Sequence, residues 1–80
     1  MRSRTAILIP SYNEAKTIGR IVRTLREEGS RVYVVDDGSI DRTDAIAAGA
    51  GAVVLRHETN KGKGAALREG FARILADGFE

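Results

Sequence analysis

The fold of this chain is decided by the stretch Arg31-Val32-Tyr33-Val34-Val35-Asp36-Asp37-Gly38-Ser39. After its first residue, the segment 31–35 is entirely β-branched or aromatic, and this composition predicts a buried strand. The four residues that follow, 36–39, are typical turn formers. We therefore expect a strand that ends at residue 35 and a loop that opens with two adjacent carboxylates.

Two shorter apolar runs, one on each side of this stretch, have the same character. Residues 5–9 precede Pro10, which forces an extended backbone on the residue before it. Residues 52–55 are again rich in valine and leucine. Both runs predict buried strands, so that three strands are expected in all.

The segments that follow the strands have apolar residues at helical spacing. The first stripe consists of Ile18, Ile21, Val22 and Leu25, and the last consists of Leu67, Phe71, Ile74 and Leu75. Together with flanking polar and glycine residues, the patterns predict helices over residues 14–28 with an Asn13 cap, over residues 41–48 with a Ser39 or Asp41 cap, and between an Asn60 cap and Gly78.

Regular alternation of strands and helices predicts an α/β fold, with parallel strands, right-handed crossovers and helices on the faces of the sheet. Three strands are few for an open parallel sheet, which usually has about five or six. We therefore expect residues 1–80 to form one partial domain, truncated before the rest of its sheet.

Composition excludes several classes of protein. The chain has 80 residues, of which 42% are hydrophobic and 30% charged, so it is not a disordered tail. It contains no cysteine and one histidine, His57, which excludes disulfide frameworks and most zinc sites. A net charge of +2 is too small to indicate nucleic-acid binding, and no apolar run approaches the roughly 20 residues that span a bilayer. We expect a cytoplasmic protein.

The informative polar residues follow the predicted strands, and ligands of open α/β sheets bind at that edge. Tyr12 can stack against a base, and Asp37 can accept hydrogen bonds from a ribose or a base. Lys63, beside glycines at a helix start, can meet diphosphate charge. Adjacent residues of a strand point in opposite directions, so Asp36 and Asp37 cannot both face one ligand without a turn between them. The pattern predicts a nucleotide site that favours Asp37.

Each of these residues also has a purely structural interpretation. Glu14 is favoured in a first helical turn by the helix dipole alone, and the two aspartates suit a turn or a cap. Lys61 and Lys63 suit a solvated surface. No carboxylate can be placed beside His57 from the sequence, which favours a structural histidine over a functional one.

Motifs of two common nucleotide-binding classes are missing. A dinucleotide fingerprint needs G-x-G-x-x-G directly after a strand, whereas Gly49-Ala50-Gly51 precedes the third strand. A P-loop needs Ser or Thr after its lysine, whereas Gly64 follows Lys63. A Rossmann dehydrogenase and a P-loop hydrolase are therefore excluded.

Three blocks of the sequence together resemble a known family. They are Ile9-Pro10-Ser11-Tyr12-Asn13-Glu14, Val34-Val35-Asp36-Asp37-Gly38-Ser39-Ile40-Asp41-Arg42-Thr43 and Asn60-Lys61-Gly62-Lys63-Gly64-Ala65-Ala66-Leu67. In this order they resemble the N-terminal part of family 2 glycosyltransferases, and within that family the dolichol- or polyprenyl-phosphate sugar synthases. The resemblance covers most of the chain.

This resemblance implies a Rossmann-like GT-A fold that binds a nucleoside-diphosphate sugar for transfer, with a polyprenyl or dolichyl phosphate as acceptor. The substrate-binding residues that it implies are Pro10, Tyr12, Glu14, Asp37 and Lys63, with Asp36 included from the same block.

The metal and the chemistry of transfer are expected outside this chain. Family members hold Mg²⁺ or Mn²⁺ at a D-x-D motif after the next strand, and their catalytic base comes later still. We therefore expect neither catalytic residues nor metal ligands here, no transfer by the 80 residues alone, and membrane association only through missing segments.

Two other interpretations remain. A receiver domain uses an acidic pair similar to Val34-Val35-Asp36-Asp37 to bind Mg²⁺, but there the pair ends the first strand and here it ends the second. The second alternative is a non-catalytic truncated chain or an interaction module, whose open sheet edge would pair with a partner.

Overall fold

The computed structural model describes residues 5–79. These residues form a three-stranded, fully parallel sheet in the order β1-β2-β3. The elements in chain order are β1 (Ala6–Ser11), α1 (Ile18–Glu27), β2 (Arg31–Asp37), α2 (Thr43–Gly49), β3 (Val53–His57) and α3 (Lys63–Ala76). The predicted α/β alternation of three βα units is confirmed.

Successive side chains of β2 point to opposite faces of the sheet, and helices cover both faces. Val32 and Val34 are fully buried in a cluster with residues of α1 and α2. The next residues in alternation, Tyr33 and Val35, are also buried and belong to the opposite face, against which α3 packs. Because both faces are covered, β2 is apolar and buried from Val32 to Val35, as strands of parallel sheets usually are.

All three strands continue two residues beyond their predicted ends. In β1 the additional residues are Pro10 and Ser11, which pair with Val35 and Asp36 of β2. Pro10 is tolerated because β1 is an edge strand among the described residues, where a missing N–H need not break a ladder. The acidic end of β2 stays in the sheet because its side chains find partners on β3, so the predicted loop after residue 35 was wrong by two residues.

The predicted helix caps were also wrong. The residues that directly precede the three helices are Thr17, Arg42 and Gly62, and none of them makes a side-chain cap hydrogen bond. Asn13 has a left-handed backbone with a φ of 54°, and a turn over residues 14–17 separates it from α1. Asn13, Ser39 and Asp41 instead connect the loops after β1 and β2, although Asp41 also accepts the N–H of Thr43 at the start of α2. Asn60 accepts the N–H of Gly62 within its own loop.

Within residues 5–79, none of the helices combines the length and the apolar character needed to cross a membrane.

Candidate functional site

A cleft of about 340 Å³ opens at the carboxyl ends of β1 and β2, beside the start of α3. Its walls are formed by Pro10, Ser11, Tyr12, Glu14, Asp37, Asn60, Gly62, Lys63 and Ala66. Five of the six predicted substrate-binding residues are in this set, and Asp36 is not. The fold therefore brings together residues from three separate loops, at the edge where the sequence placed them.

Asp36 lies on the opposite face of β2 from the cleft. Its side chain is fully buried, and its Oδ2 accepts a hydrogen bond from Nη1 of Arg56 at 2.7 Å. Its Oδ1 accepts one from the backbone N–H of Ser39 at 3.0 Å. Arg56 is the register partner of Asp36 on β3. Asp36 therefore does not line the cleft, and it stabilises the loop after β2 through Ser39 and Arg56.

Asp37 lies on the cleft side and is 6% exposed. Its Oδ1 is 2.8 Å from the backbone nitrogen of Lys61 and 2.8 Å from Nδ1 of His57. Its Oδ2 accepts from the backbone N–H of Gly62 at 2.9 Å. These donors, led by the Lys61 N–H and followed by His57, lower the pKa of Asp37. Asp37 is thus an ionised anchor for the loop between β3 and α3, and its Oδ2 has capacity for a further donor.

His57 is 4% exposed and lies between two carboxylates. Its Nδ1 faces Asp37, its register partner on β2, and its Nε2 is hydrogen-bonded to Oε2 of Glu69 on α3. Asp37 first, then Glu69, raises the pKa of His57. The expectation that no carboxylate stands beside His57 was therefore wrong. The register of β2 against β3 supplies one, and the return of α3 over the sheet supplies the other.

Side chains of the loop after β2 hold the loop after β1 in place. Three backbone N–H groups of the first loop donate to side-chain oxygens of the second loop or of the first residue of α2: Asn13 to Ser39 Oγ at 2.8 Å, Ala15 to Asp41 Oδ2 at 3.1 Å and Glu14 to Thr43 Oγ1 at 2.9 Å. In return, the Asn13 side chain accepts from the N–H of Ile40 at 3.0 Å. Sequence reasoning missed this clamp, although the presence of several short polar side chains in one loop was a signal for it.

The clamp positions two of the cleft residues. Tyr12 precedes the clamped backbone and Glu14 is part of it, while both side chains remain exposed. Asp41 is fixed in turn by the hydroxyl and backbone N–H of Thr43, and the Thr43 hydroxyl is the main cause of the lowered pKa of Asp41.

Lys63 is the first residue of α3 and is exposed at the cleft. The first N–H groups of a helix lack partners within the helix and carry partial positive charge. Lys63 and the start of a 14-residue helix therefore present positive charge together at one wall of the cleft.

The paired aspartates do not fit a metal ion. Asp36 and Asp37 point to opposite faces of β2 and are both bound to other groups. Within the part of the chain that the structure describes, no group of three or more histidine, aspartate or glutamate side chains could hold one.

The fold and the cleft define a class, the α/β proteins that carry a ligand site at the carboxyl ends of parallel strands. Residues 6–78 match the family model described as Glycosyl transferase family 2. The chain belongs to that family, as its three sequence blocks predicted.

Two curated relatives represent the sequence similarity. Glycosyltransferase AglJ of Haloferax volcanii is 47% identical over 64 residues, which cover 79% of this chain and 21% of the relative. Polyprenol monophosphomannose synthase of Mycolicibacterium smegmatis is 39% identical over 84 residues, covering 95% of this chain and 32% of the relative. The chain thus spans about a fifth to a third of these relatives.

Solved structures share the fold. The mannosyltransferase PcManGT of Pyrobaculum calidifontis, in complex with GDP-Man and Mn²⁺, superposes with a TM-score of 0.76 at 25% identity, over 91% of this chain and 25% of that one. Glucosyl-3-phosphoglycerate synthase of Mycobacterium tuberculosis, in complex with Mn²⁺, UDP-Glc and phosphoglyceric acid, gives a TM-score of 0.73 at 28% identity, over 86% and 28% of the two chains. The three βα units match the N-terminal part of GT-A glycosyltransferases, which confirms the predicted fold.

Proposed function

We propose that this chain forms the nucleotide-binding part of a glycosyltransferase that uses a nucleoside-diphosphate sugar as donor. The observation that carries the proposal is the convergence of Tyr12, Asp37 and Lys63 on one cleft from three separate loops. An aromatic ring, an ionised carboxylate and a lysine match the base, the ribose and the diphosphate of such a donor. The similar structures that contain GDP-Man and UDP-Glc support this class of ligand.

Each residue has a distinct part in the proposed complex. Tyr12, which is 48% exposed, offers a ring against which a base can stack, with Pro10 and Glu14 forming the adjacent wall. Oδ2 of Asp37 accepts a hydrogen bond from a ribose hydroxyl or a base N–H. Lys63 and the first N–H groups of α3 bind the diphosphate, as helix starts commonly bind phosphates. Asp36 acts from the opposite face, through Arg56 and Ser39.

The acceptor and the metal belong to the same proposal. The similarity to polyprenol monophosphomannose synthase favours a polyprenyl phosphate acceptor, which would place the reaction at a membrane surface. The similar mannosyltransferase is in complex with Mn²⁺, and a divalent cation would offset the charge of a diphosphate leaving group. We assign no ligand for it among residues 5–79.

The test is a titration of the purified protein with GDP and UDP, with and without Mn²⁺. Calorimetry measures the affinity, and amide NMR shifts locate the binding site. Shifts centred on Tyr12, Glu14 and Lys63 are expected. Lys63→Gln should weaken binding roughly tenfold or more, since a hydrogen bond to a charged group contributes about 1.5–3 kcal/mol.

Lys61→Gln is the matched control. It removes the same charge two residues away from a side chain that does not line the cleft, so it should change affinity far less than Lys63→Gln. Equal losses of affinity in the two variants would show that only the net charge matters and that Lys63 makes no specific contact. Absence of nucleotide binding by the unaltered protein would contradict the proposal.

A further inference from the structure

His57 carries chemistry that the proposed nucleotide contacts do not use. It does not line the cleft, yet it is almost completely buried and both of its ring nitrogens meet carboxylates. A histidine placed only for packing needs neither charged partner. The arrangement of Asp37, His57 and Glu69 therefore calls for a role beyond filling space.

The link from His57 to the cleft runs through Asp37. The same Oδ1 that faces His57 also accepts the backbone N–H of Lys61, and Oδ2 accepts the N–H of Gly62. Gly62 lines the cleft, and Lys63 follows it directly. Rotation of the Asp37 carboxylate would change both backbone hydrogen bonds and move the wall that carries Lys63.

We propose that His57 is a positioning residue for the nucleotide cleft, which holds Asp37 in the orientation that fixes the Asn60–Lys63 wall and is itself held by Glu69. This inference rests on the proposed function for its consequence in binding. Its structural part, the coupling of His57 to the cleft wall, does not depend on any ligand.

The charges around His57 determine how its hydrogen bonds to Asp37 and Glu69 respond to pH. Asp37 faces it from β2 and Glu69 from α3, and both favour the protonated ring, whereas Lys61 in the following loop opposes it. The protonated ring donates to both carboxylates. A neutral ring has one N–H, for which Asp37 and Glu69 then compete. Glu69 is half exposed and can turn to water, so the bridge is weakened but not lost as pH rises.

The first experiment follows the amides of Lys61 and Gly62 in the nucleotide-free protein by NMR as pH is raised. Their shifts should titrate with the same midpoint as the His57 ring protons. Glu69→Gln should lower that midpoint in both, because one carboxylate partner loses its charge. The proposal would be overturned if the Lys61 and Gly62 amide shifts did not change as His57 titrates, or if Glu69→Gln left the midpoint unchanged.

The second experiment measures the affinity for GDP and UDP in two His57 variants. His57→Asn keeps an N–H donor on the Asp37 side and should retain affinity to within a few-fold, without the pH dependence of the unaltered protein. His57→Leu removes the donor and should lose roughly tenfold, as expected for a hydrogen bond to a charged group. Equal affinity of His57→Leu and the unaltered protein would overturn the role in binding.

Tyr33→Phe is the control for loss of stability alone. It removes the hydrogen bond of 2.7 Å between the Tyr33 hydroxyl and Asp77, from a residue near the opposite end of β2 from Asp37. It should lower stability and leave nucleotide affinity unchanged. If His57→Leu does not fold, the titration midpoint of the Lys61 and Gly62 amides in Glu69→Gln still decides the outcome, because it must be lower than in the unaltered protein.

The two proposals fail in different ways. If the unaltered protein binds neither nucleotide but the Lys61 and Gly62 amides follow His57, the proposed function is wrong and the positioning of the wall stands. If nucleotides bind but the amides and the affinities do not respond to His57, the positioning role is wrong.

Discussion

Two adjacent aspartates at the end of β2 have different functions because successive strand residues point to opposite faces. Asp36, which is buried, forms an ion pair with the exposed Arg56, and Asp37 binds His57 and the backbone of the next loop. The opposite directions were predicted from the strand geometry. The two partners were not predicted, since they follow from the register of β3 against β2.

The bridge between Asp37 and His57 makes stability depend on pH in a defined window. The pKa of His57 is raised, so its contribution is complete below the unfolded value of about 6.5 and is lost as pH rises through the folded pKa. The pKa of Asp37 is lowered, so its contribution is present above about 3.9 and is lost as pH falls through its folded pKa.

We therefore expect the stability difference between the unaltered protein and His57→Leu to be largest between about pH 4 and 6.5 and to shrink at higher pH. Urea unfolding at a series of pH values measures this difference. A difference that grows above pH 7 would contradict the assignment of both carboxylates as partners of His57.

Two buried serines offer a matched pair for a second prediction. Ser11 is 4% exposed, and its Oγ has no hydrogen-bond partner among the described residues. Ser39 is 3% exposed, and its Oγ accepts from the N–H of Asn13. Ser11→Ala should change the free energy of unfolding by less than about 0.5 kcal/mol or increase it, since it removes a polar atom without a partner.

Ser39→Ala should cost about 1–3 kcal/mol, because it leaves the Asn13 N–H without its acceptor. Chemical denaturation of both variants gives the comparison. A larger loss for Ser11→Ala than for Ser39→Ala would indicate that the Ser11 hydroxyl has a partner after all.

At the scale of elements, the loop after β2 and the loop after β3 approach each other closely at the carboxyl edge of the sheet. Gly38, after β2, has a φ of +85°, and a Cβ placed on it would lie 2.7 Å from the backbone nitrogen of Asn60. Only glycine permits both this backbone conformation and this close approach. The loop that follows β3 can therefore reach Asp37 because position 38 has no side chain.

Gly38→Ala should destabilise the protein by roughly 2 kcal/mol or more, from left-handed strain together with displacement of the Asn60 backbone. It should also weaken nucleotide binding, because the displaced loop leads directly into Lys63 at the start of α3. Gly49→Ala is the control, since a Cβ there meets no atom within 4 Å and the residue lies in α2.

Gly49→Ala should leave stability unchanged or raise it by up to about 1 kcal/mol, through the better helix propensity of alanine. Thermal unfolding of both variants is the measurement. Similar Tm values for the two would show that the approach of the loops at Gly38 does not matter.

At the scale of the whole molecule, a chain of 80 residues has little stability in reserve, because it buries a smaller fraction of its unfolded surface than a larger domain does. A ligand that binds only the folded state adds directly to that stability. The cleft joins segments from all three βα units, so its ligand should oppose unfolding of the entire sheet.

A nucleoside diphosphate at 100 times its Kd should add about 2.7 kcal/mol to the free energy of unfolding. For a domain of this size that corresponds to a rise in Tm of about 10–20 °C. Thermal scans with increasing GDP or UDP measure the rise, and Lys63→Gln should reduce it. A Tm that stays constant at saturating nucleotide would contradict binding to the folded state.

The sequence by itself determined the α/β class, the three βα units and the edge of the sheet at which the polar residues collect. These properties depend on local periodicity and on the rule that parallel strands end at one edge, and both can be read from consecutive residues. The gathering of Tyr12, Asp37 and Lys63 followed from them, and their contact with a nucleotide stays a prediction.

Only the tertiary structure decided the strand ends, the clamp between the first two loops and the environment of His57. Each depends on groups far apart in the chain, such as Asp37 and His57, which are 20 residues apart, or Asn13 and Ser39, which are 26 apart. Which of these groups meet is set by register and by the return of α3 over the sheet. Charge pairs across strand ends keep Asp36 and Asp37 in the sheet although their own propensities favour a turn.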